Sequence, residues 1–209
     1  MSQAILSENF YTLFNSHARY CLKFKFVGLI HVDYETKSLK RRTYTKEISD
    51  PKRIRGSCNS SVSQLVFDLD PPPHETWTIS INFVQSQQVY FIDYLHLFGI
   101  LDSQVIPDIA KTDIINTRID FPKNYSSNVG EIFQCQQENI LKDQECFVRF
   151  SFLNMTLKAF IDEKNSDFSV NQCGADLPQT LEWKPLLLCV LIILSLIALL
   201  SGLVLINQL

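Results

Sequence analysis

The 209-residue chain has little of what marks a linker, a nucleic-acid binder or an enzyme. Glycine is scarce, at 6 residues, and no Gly-rich phosphate loop can be assembled from them. Charge of one sign is also lacking. Nineteen basic residues oppose 22 acidic ones, so no global field favours nucleic acid or an acidic substrate. No GxSxG, HExxH or kinase signature occurs, and no CxxC or Cys/His spacing of a zinc site. His17, His31, His74 and His96 stand at no ligand spacing and are expected at surface or polar strand positions. These absences predict a non-enzymatic chain with no catalytic residue, cofactor, metal or small-molecule substrate. The first twenty residues also lack the 7–15-residue apolar core of a secretory signal. A leader upstream of Met1 is the expectation. The alternative is a tail-anchored chain whose C-terminal helix alone directs insertion.

What is abundant is apolar and aromatic. Fifteen Phe and 7 Tyr favour a packed β-rich core over a disordered tail. The last quarter of the chain is far more apolar than the rest. Pro185 to Ile206 reads PLLLCVLIILSLIALLSGLVLI without a charge. As a helix this run is roughly 33 Å long, enough to cross a hydrocarbon core about 30 Å thick. Trp183 and Lys184 precede it, where an amphipathic ring and a snorkelling amine suit the headgroups, and only residues 207–209 follow. Ala198-x-x-x-Gly202, flanked by Ser195 and Ser201, offers a small-residue face for another helix. The expected partners are therefore the bilayer and a neighbouring membrane helix.

Ahead of this span the pattern is of strands. Residues 1–19 are polar and unpatterned and are read as a disordered lead-in. Leu29, His31 and Asp33 alternate with Ile30, Val32 and Tyr34, a period of two. The basic run Lys37–Arg42 with Lys46 reads as a solvated turn and strand edge. Cys58 opens a second strand region, in which Leu65, Phe67 and Leu69 oppose Val66, Asp68 and Asp70; Asp68 and Asp70 are expected in solvent. Pro71-Pro72-Pro73 ends it, since proline cannot donate to a ladder. Trp77, Ile79, Ile81 and Phe83 form one face of the next strand. Val89–Phe98, aromatic on both faces, is expected to be sandwiched. Residues 102–131 read as a long connection, and Cys146–Phe152 and Met155–Ile161 as a final pair of strands. Residues 177–184 are a stalk.

Five cysteines precede the apolar run: Cys21, Cys58, Cys135, Cys146 and Cys173. Cys21 and Cys58 are 37 positions apart and Cys135 and Cys173 are 38 apart, which suggests one bridge per sheet or per half. Spacing alone fixes no connectivity. Cys146 is left as a buried thiol or an intermolecular bridge, and Cys189 lies in the apolar run. Three glycosylation sequons stand at Asn59-Ser60-Ser61, Asn124-Tyr125-Ser126 and Asn154-Met155-Thr156. Disulfides and sequons together place the large domain on the oxidising, lumenal side of a membrane.

Several of these residues carry a likeness to a known family. The run CLKFKFVGLIHVDYETK from Cys21, GSC at Gly56–Cys58, FQC at Phe133–Cys135, LKAF at Leu157–Phe160 and DFSVNQCGAD around Cys173 occur in this order. Together they resemble the lumenal domain of lysosome-associated membrane glycoproteins (LAMPs), over residues 20–176. The resemblance implies an all-β prism or sandwich of two facing sheets, the pairings Cys21–Cys58 and Cys135–Cys173, and one C-terminal transmembrane helix. The related accessory subunit of the V-type proton ATPase shares the aromatic-x-Cys, the AF pair and a Trp ahead of the membrane. Since no sorting tail follows the span, that accessory role, with membrane-sector subunits of the pump as partners, is the first expectation. A LAMP-type endolysosomal glycoprotein acting in membrane protection or trafficking is the second. A third keeps the domain but replaces the span with a lipid anchor attached at Gly174-Ala175-Asp176.

Overall fold

Alternation of apolar and polar residues is satisfied by two facing sheets with the aromatic side chains between them. In the computed structural model the described residues are 3–7, 10–16, 19–48, 51–70, 77–145, 147–161 and 169–173, all within the unit Met1–Asp176. The apolar run 185–206, the stalk 177–184, Ala198, Gly202, Cys146, Cys189, His17, His74 and the three prolines lie outside them. Among the described residues no helix is long and apolar enough to cross a membrane.

The first sheet contains β1 (Gln3–Ser7), β2 (Phe10–Phe14), β3 (Tyr20–Glu35), β4 (Arg41–Glu47), β11 (Ile132–Cys135), β12 (Asn139–Lys142), β13 (Val148–Ala159) and β14 (Val170–Gln172). The second contains β5 (Arg53–Cys58), β6 (Val62–Asp68), β7 (Trp77–Ser86), β8 (Val89–Leu101), β9 (Asp113–Asp120) and β10 (Ser126–Asn128). In the first sheet the order is β1-β2-β3-β13-β11-β14, with β4 beside the C-terminal half of β3 and β12 beside β13. In the second it is β10-β8-β7-β6-β5, with β9 beside the C-terminal half of β8. Among the described strands all pairs are antiparallel except β11 with β14. The all-β architecture of two sheets and two disulfides is thus the one the sequence predicts.

The inner faces meet in a ladder of rings. Tyr11 packs on Phe67 at 4.7 Å between centroids, Phe24 on Phe83 at 5.4 Å, and Tyr125 on Phe152 at 5.6 Å. Each pair joins one sheet, or the loop that covers it, to the other. Offset and edge-on rings at such distances add to the large area they bury. Two glycines allow close approach. A Cβ on Gly56 would lie 2.3 Å from the Gln64 carbonyl oxygen and 2.7 Å from Leu13, so β5 could not close on β2. At Gly99 it would lie 2.5 Å from the ring of Trp77, which stands directly opposite and covers the gap.

Several expectations require correction. The lead-in 1–19 is not without structure: it holds β1 and β2, and Tyr11 and Leu13 are buried under the corner where the sheets meet. A five-residue strand buried at three successive positions shows no clean period. Cys58 closes β5 rather than opening a strand. The segment 102–131 contains β9 and β10, whose polar outer faces read as loop. The expected pair after residue 146 is one continuous strand, β13, with a bulge that places two residues against Phe26. Val89–Phe98 buries one face, not both. An extra residue at Asp93 shifts the phase, so Tyr90 and Ile92, then Leu95 and Leu97, all point inward.

Disulfides, sequons and a groove at the seam of the sheets

The two bridges are Cys21–Cys58 and Cys135–Cys173, the pairing the family resemblance implies. They are not one per sheet or per half in the same sense. Cys21–Cys58 crosses from β3 to β5 and joins the sheets at one corner, whereas Cys135–Cys173 ties the end of β11 to the residue after β14 within the first sheet.

All three sequon asparagines are exposed, each in a different backbone setting. Asn59 sits in the β5–β6 turn, where its side-chain oxygen accepts from Ser61 N at 2.9 Å and Val62 N at 2.7 Å. That bond leaves the amide nitrogen, the atom that carries a glycan, pointing elsewhere. Asn124 lies in the turn Pro122–Tyr125 before β10. Asn154 occupies the bulge of β13 with φ 53°, a left-handed value that Asn tolerates better than other residues with a Cβ.

The charged residues singled out by sequence are mostly engaged in local pairs. In the basic run Arg41 meets Asp33 at 3.4 Å and Arg42 meets Asp108 at 3.1 Å, while Lys46 meets Asp70 at 2.7 Å. Asp68 is not in solvent: it is fully buried and receives Arg55 Nε at 3.0 Å and Nη2 at 2.9 Å. The polar phase of β6 turns it under the Arg55 guanidinium, which satisfies the charge. His31 shares a hydrogen bond with Thr45 Oγ1 at 3.0 Å and His96 with Asn116 Oδ1 at 2.8 Å, both on outer strand faces. Lys158 stands opposite Lys23 on the outer face of the first sheet; burial, then the neighbouring ammonium, lowers its pKa to about 8.

Sequence reasoning missed a polar knot that joins the sheets. The Tyr90 hydroxyl, buried on β8, lies 2.8 Å from the Glu131 carbonyl and 3.1 Å from that of Leu157 on β13. Burial raises its pKa well above the ordinary tyrosine value. The Glu131 carboxylate accepts from Ser127 Oγ at 2.9 Å and from Asn128 N and Nδ2 at 3.1 and 3.0 Å; its other oxygen accepts from Ser169 Oγ at 3.1 Å. These donors, the Asn128 side chain first, hold its pKa below the ordinary glutamate value. The Tyr90–Glu131 spacing carries no sequence signal, because the two residues meet only once the sheets face each other.

A groove of ≈ 930 Å³ opens where β9 faces the C-terminal end of β3 and the turn between β12 and β13. Leu39, Ile114 and Phe147, 79%, 68% and 46% exposed, lie along it. The Arg41 guanidinium lies over the Phe147 ring at 5.1 Å. The signal that could have found it is Ile114, an apolar residue on the outward phase of a polar stretch.

No protein-family profile matches the chain, and no curated protein matches it by sequence. Solved structures do match. The membrane-proximal domain of mouse lysosome-associated membrane protein 1 aligns with a TM-score of 0.66 at 16% identity, over 84% of this chain and 99% of that domain. Human lysosome-associated membrane protein 3 aligns at 0.58 and 16%, over 83% and 99%. The membrane-distal domain of mouse lysosome-associated membrane protein 2 aligns at 0.60 and 16%, over 82% and 98%. The fold of this chain is that of a LAMP domain.

Proposed function

We propose that the chain is a LAMP-type membrane glycoprotein of the endolysosomal system, with the β domain in the lumen and the run Pro185–Ile206 in the bilayer. The observation that carries this reading is that one fold superposes on nearly the whole of three LAMP domains with both bridges in place. Exposure of Asn59, Asn124 and Asn154 supports it, since a glycan needs an accessible asparagine. The work of such a domain is non-enzymatic: a disulfide-bonded, sugar-bearing surface that shields or organises the membrane it stands on. Chain isolated from cells is expected to sediment with lysosomal membranes, resist alkaline extraction and lose mass with an amide-cleaving glycosidase. A chain that is extracted by alkali and unchanged by the enzyme contradicts the proposal.

The accessory role in the V-type proton ATPase is a second reading. It rests on the small-residue spacing Ala198-x-x-x-Gly202. Recovery of membrane-sector pump subunits with the gently solubilised chain, lost in Gly202→Leu, is the outcome it predicts. Recovery of none counts against it.

A further inference from the structure

The groove at the seam has features the shielding role does not use. Consecutive residues Asp113 to Arg118 line it, together with Lys111. Neighbours on a strand point to opposite faces, so a wall made of an unbroken run is a strand edge rather than a strand face. β9 pairs with β8 on one side, and among the described strands no ladder partner lies on the other. Such an edge presents a row of backbone donors and acceptors ready to take another strand. Six residues of it span roughly 20 Å, the length of a short extended segment.

The opposite wall supplies a sign of charge. Arg41 and Arg149 share Asp33, Lys111 meets Asp113, and Arg118 meets Asp93 and Asp120. Glu35, Asp143 and Glu145 also line the groove, and among the described residues none of them meets a cation. The groove therefore combines an open edge, the exposed apolar side chains of Leu39, Ile114 and Phe147, and an acidic excess, five carboxylates lining it against three cations.

We propose that this groove binds an extended peptide of alternating basic and apolar residues from a partner protein, which adds to the edge of β9. Main-chain bonds to β9 hold it, its apolar residues cover Ile114 and Phe147, and its basic residues face Glu35, Asp143 and Glu145. Strand addition of this kind takes affinity from the backbone and selectivity from alternate side chains. Charge matching across the groove steers the encounter and makes binding weaken with salt.

The test uses the full chain in a neutral maltoside detergent and a fluorescein-labelled nine-residue peptide of alternating Lys and Val. Saturable anisotropy is expected, with slowed amide exchange confined to residues 113–120 and the groove walls. Ile114→Lys, and separately Glu35→Lys with Glu145→Lys, are expected to weaken binding by about tenfold or more at low salt. These side chains are exposed, so the thermal midpoint of each variant should stay that of the parent. A peptide of alternating Glu and Val should not bind. The proposal is overturned by absence of binding, by equal binding of the acidic peptide, or by indifference to both variants. It is overturned equally by self-association of the chain that Ile114→Lys abolishes, which would assign the groove to a second copy.

Discussion

Tyr90 is where a single atom spans the two sheets. Its hydroxyl is the donor within reach of two carbonyls, the buried one of Leu157 and the half-buried one of Glu131. Tyr90→Phe leaves those acceptors without it, at a cost of about 1–3 kcal/mol, read as a lower urea midpoint with an unchanged slope. Glu131 adds a pH dependence. Its folded pKa lies below its unfolded value, so its stabilisation is fully present above the ordinary carboxylate range and is lost as pH falls through the lowered value. Glu131→Gln is therefore expected to lower the thermal midpoint at neutral pH, with the gap closing only in strong acid. A gap independent of pH would show that the carboxylate charge is not what the turn uses. Residues of this kind were the least legible in the sequence. Asp68 read as a solvent aspartate because a strand alternation cannot show that Arg55, thirteen positions earlier, folds back on it.

At the scale of elements, the long central strands β3, β6, β7, β8 and β13 were legible, and two of the errors trace to irregularities of one residue. β3 from Leu22 to Asp33, β6 up to Phe67 and β7 from Trp77 to Phe83 keep a period of two, and their inward residues Ile30, Val32, Leu65, Phe67, Ile79 and Ile81 were readable directly. The extra residue at Asp93 made β8 look two-faced, and the bulge at Asn154 made β13 look like two strands. β9 and β10 stayed hidden because their outer faces are polar and their pairing partner lies in β8. Asn154 serves both the bulge and a sequon, and the two roles can be separated. Asn154→Gly keeps the left-handed backbone and is expected to preserve the thermal midpoint while removing one glycan on a gel. Asn154→Val removes the same glycan and costs in addition about 1–2 kcal/mol, because a β-branched residue resists φ near 53°. Thr156→Val should remove the glycan and leave the bulge.

The whole molecule depends on closing two sheets over one aromatic core, and the bridge Cys21–Cys58 fastens that closure. Its loop of 37 residues, and that of 38 for Cys135–Cys173, each predict a loss of about 4 kcal/mol on Cys→Ser replacement of the pair in the chain-entropy view. The cysteine order with its aromatic neighbours was the one long-range feature the sequence displayed, which is why the fold was legible as LAMP-like at an identity to the solved domains of only 16%. The groove was not legible, since Leu39, Ile114 and Phe147 come from three separate parts of the chain.

The most direct test of a lumenal, LAMP-type domain is non-reducing peptide mapping by mass spectrometry of chain purified from native membranes, with and without glycosidase. Two cross-linked peptide pairs, Cys21 with Cys58 and Cys135 with Cys173, and sugar mass on Asn59, Asn124 and Asn154 are the expected result. Four reduced thiols and three unmodified asparagines would contradict it.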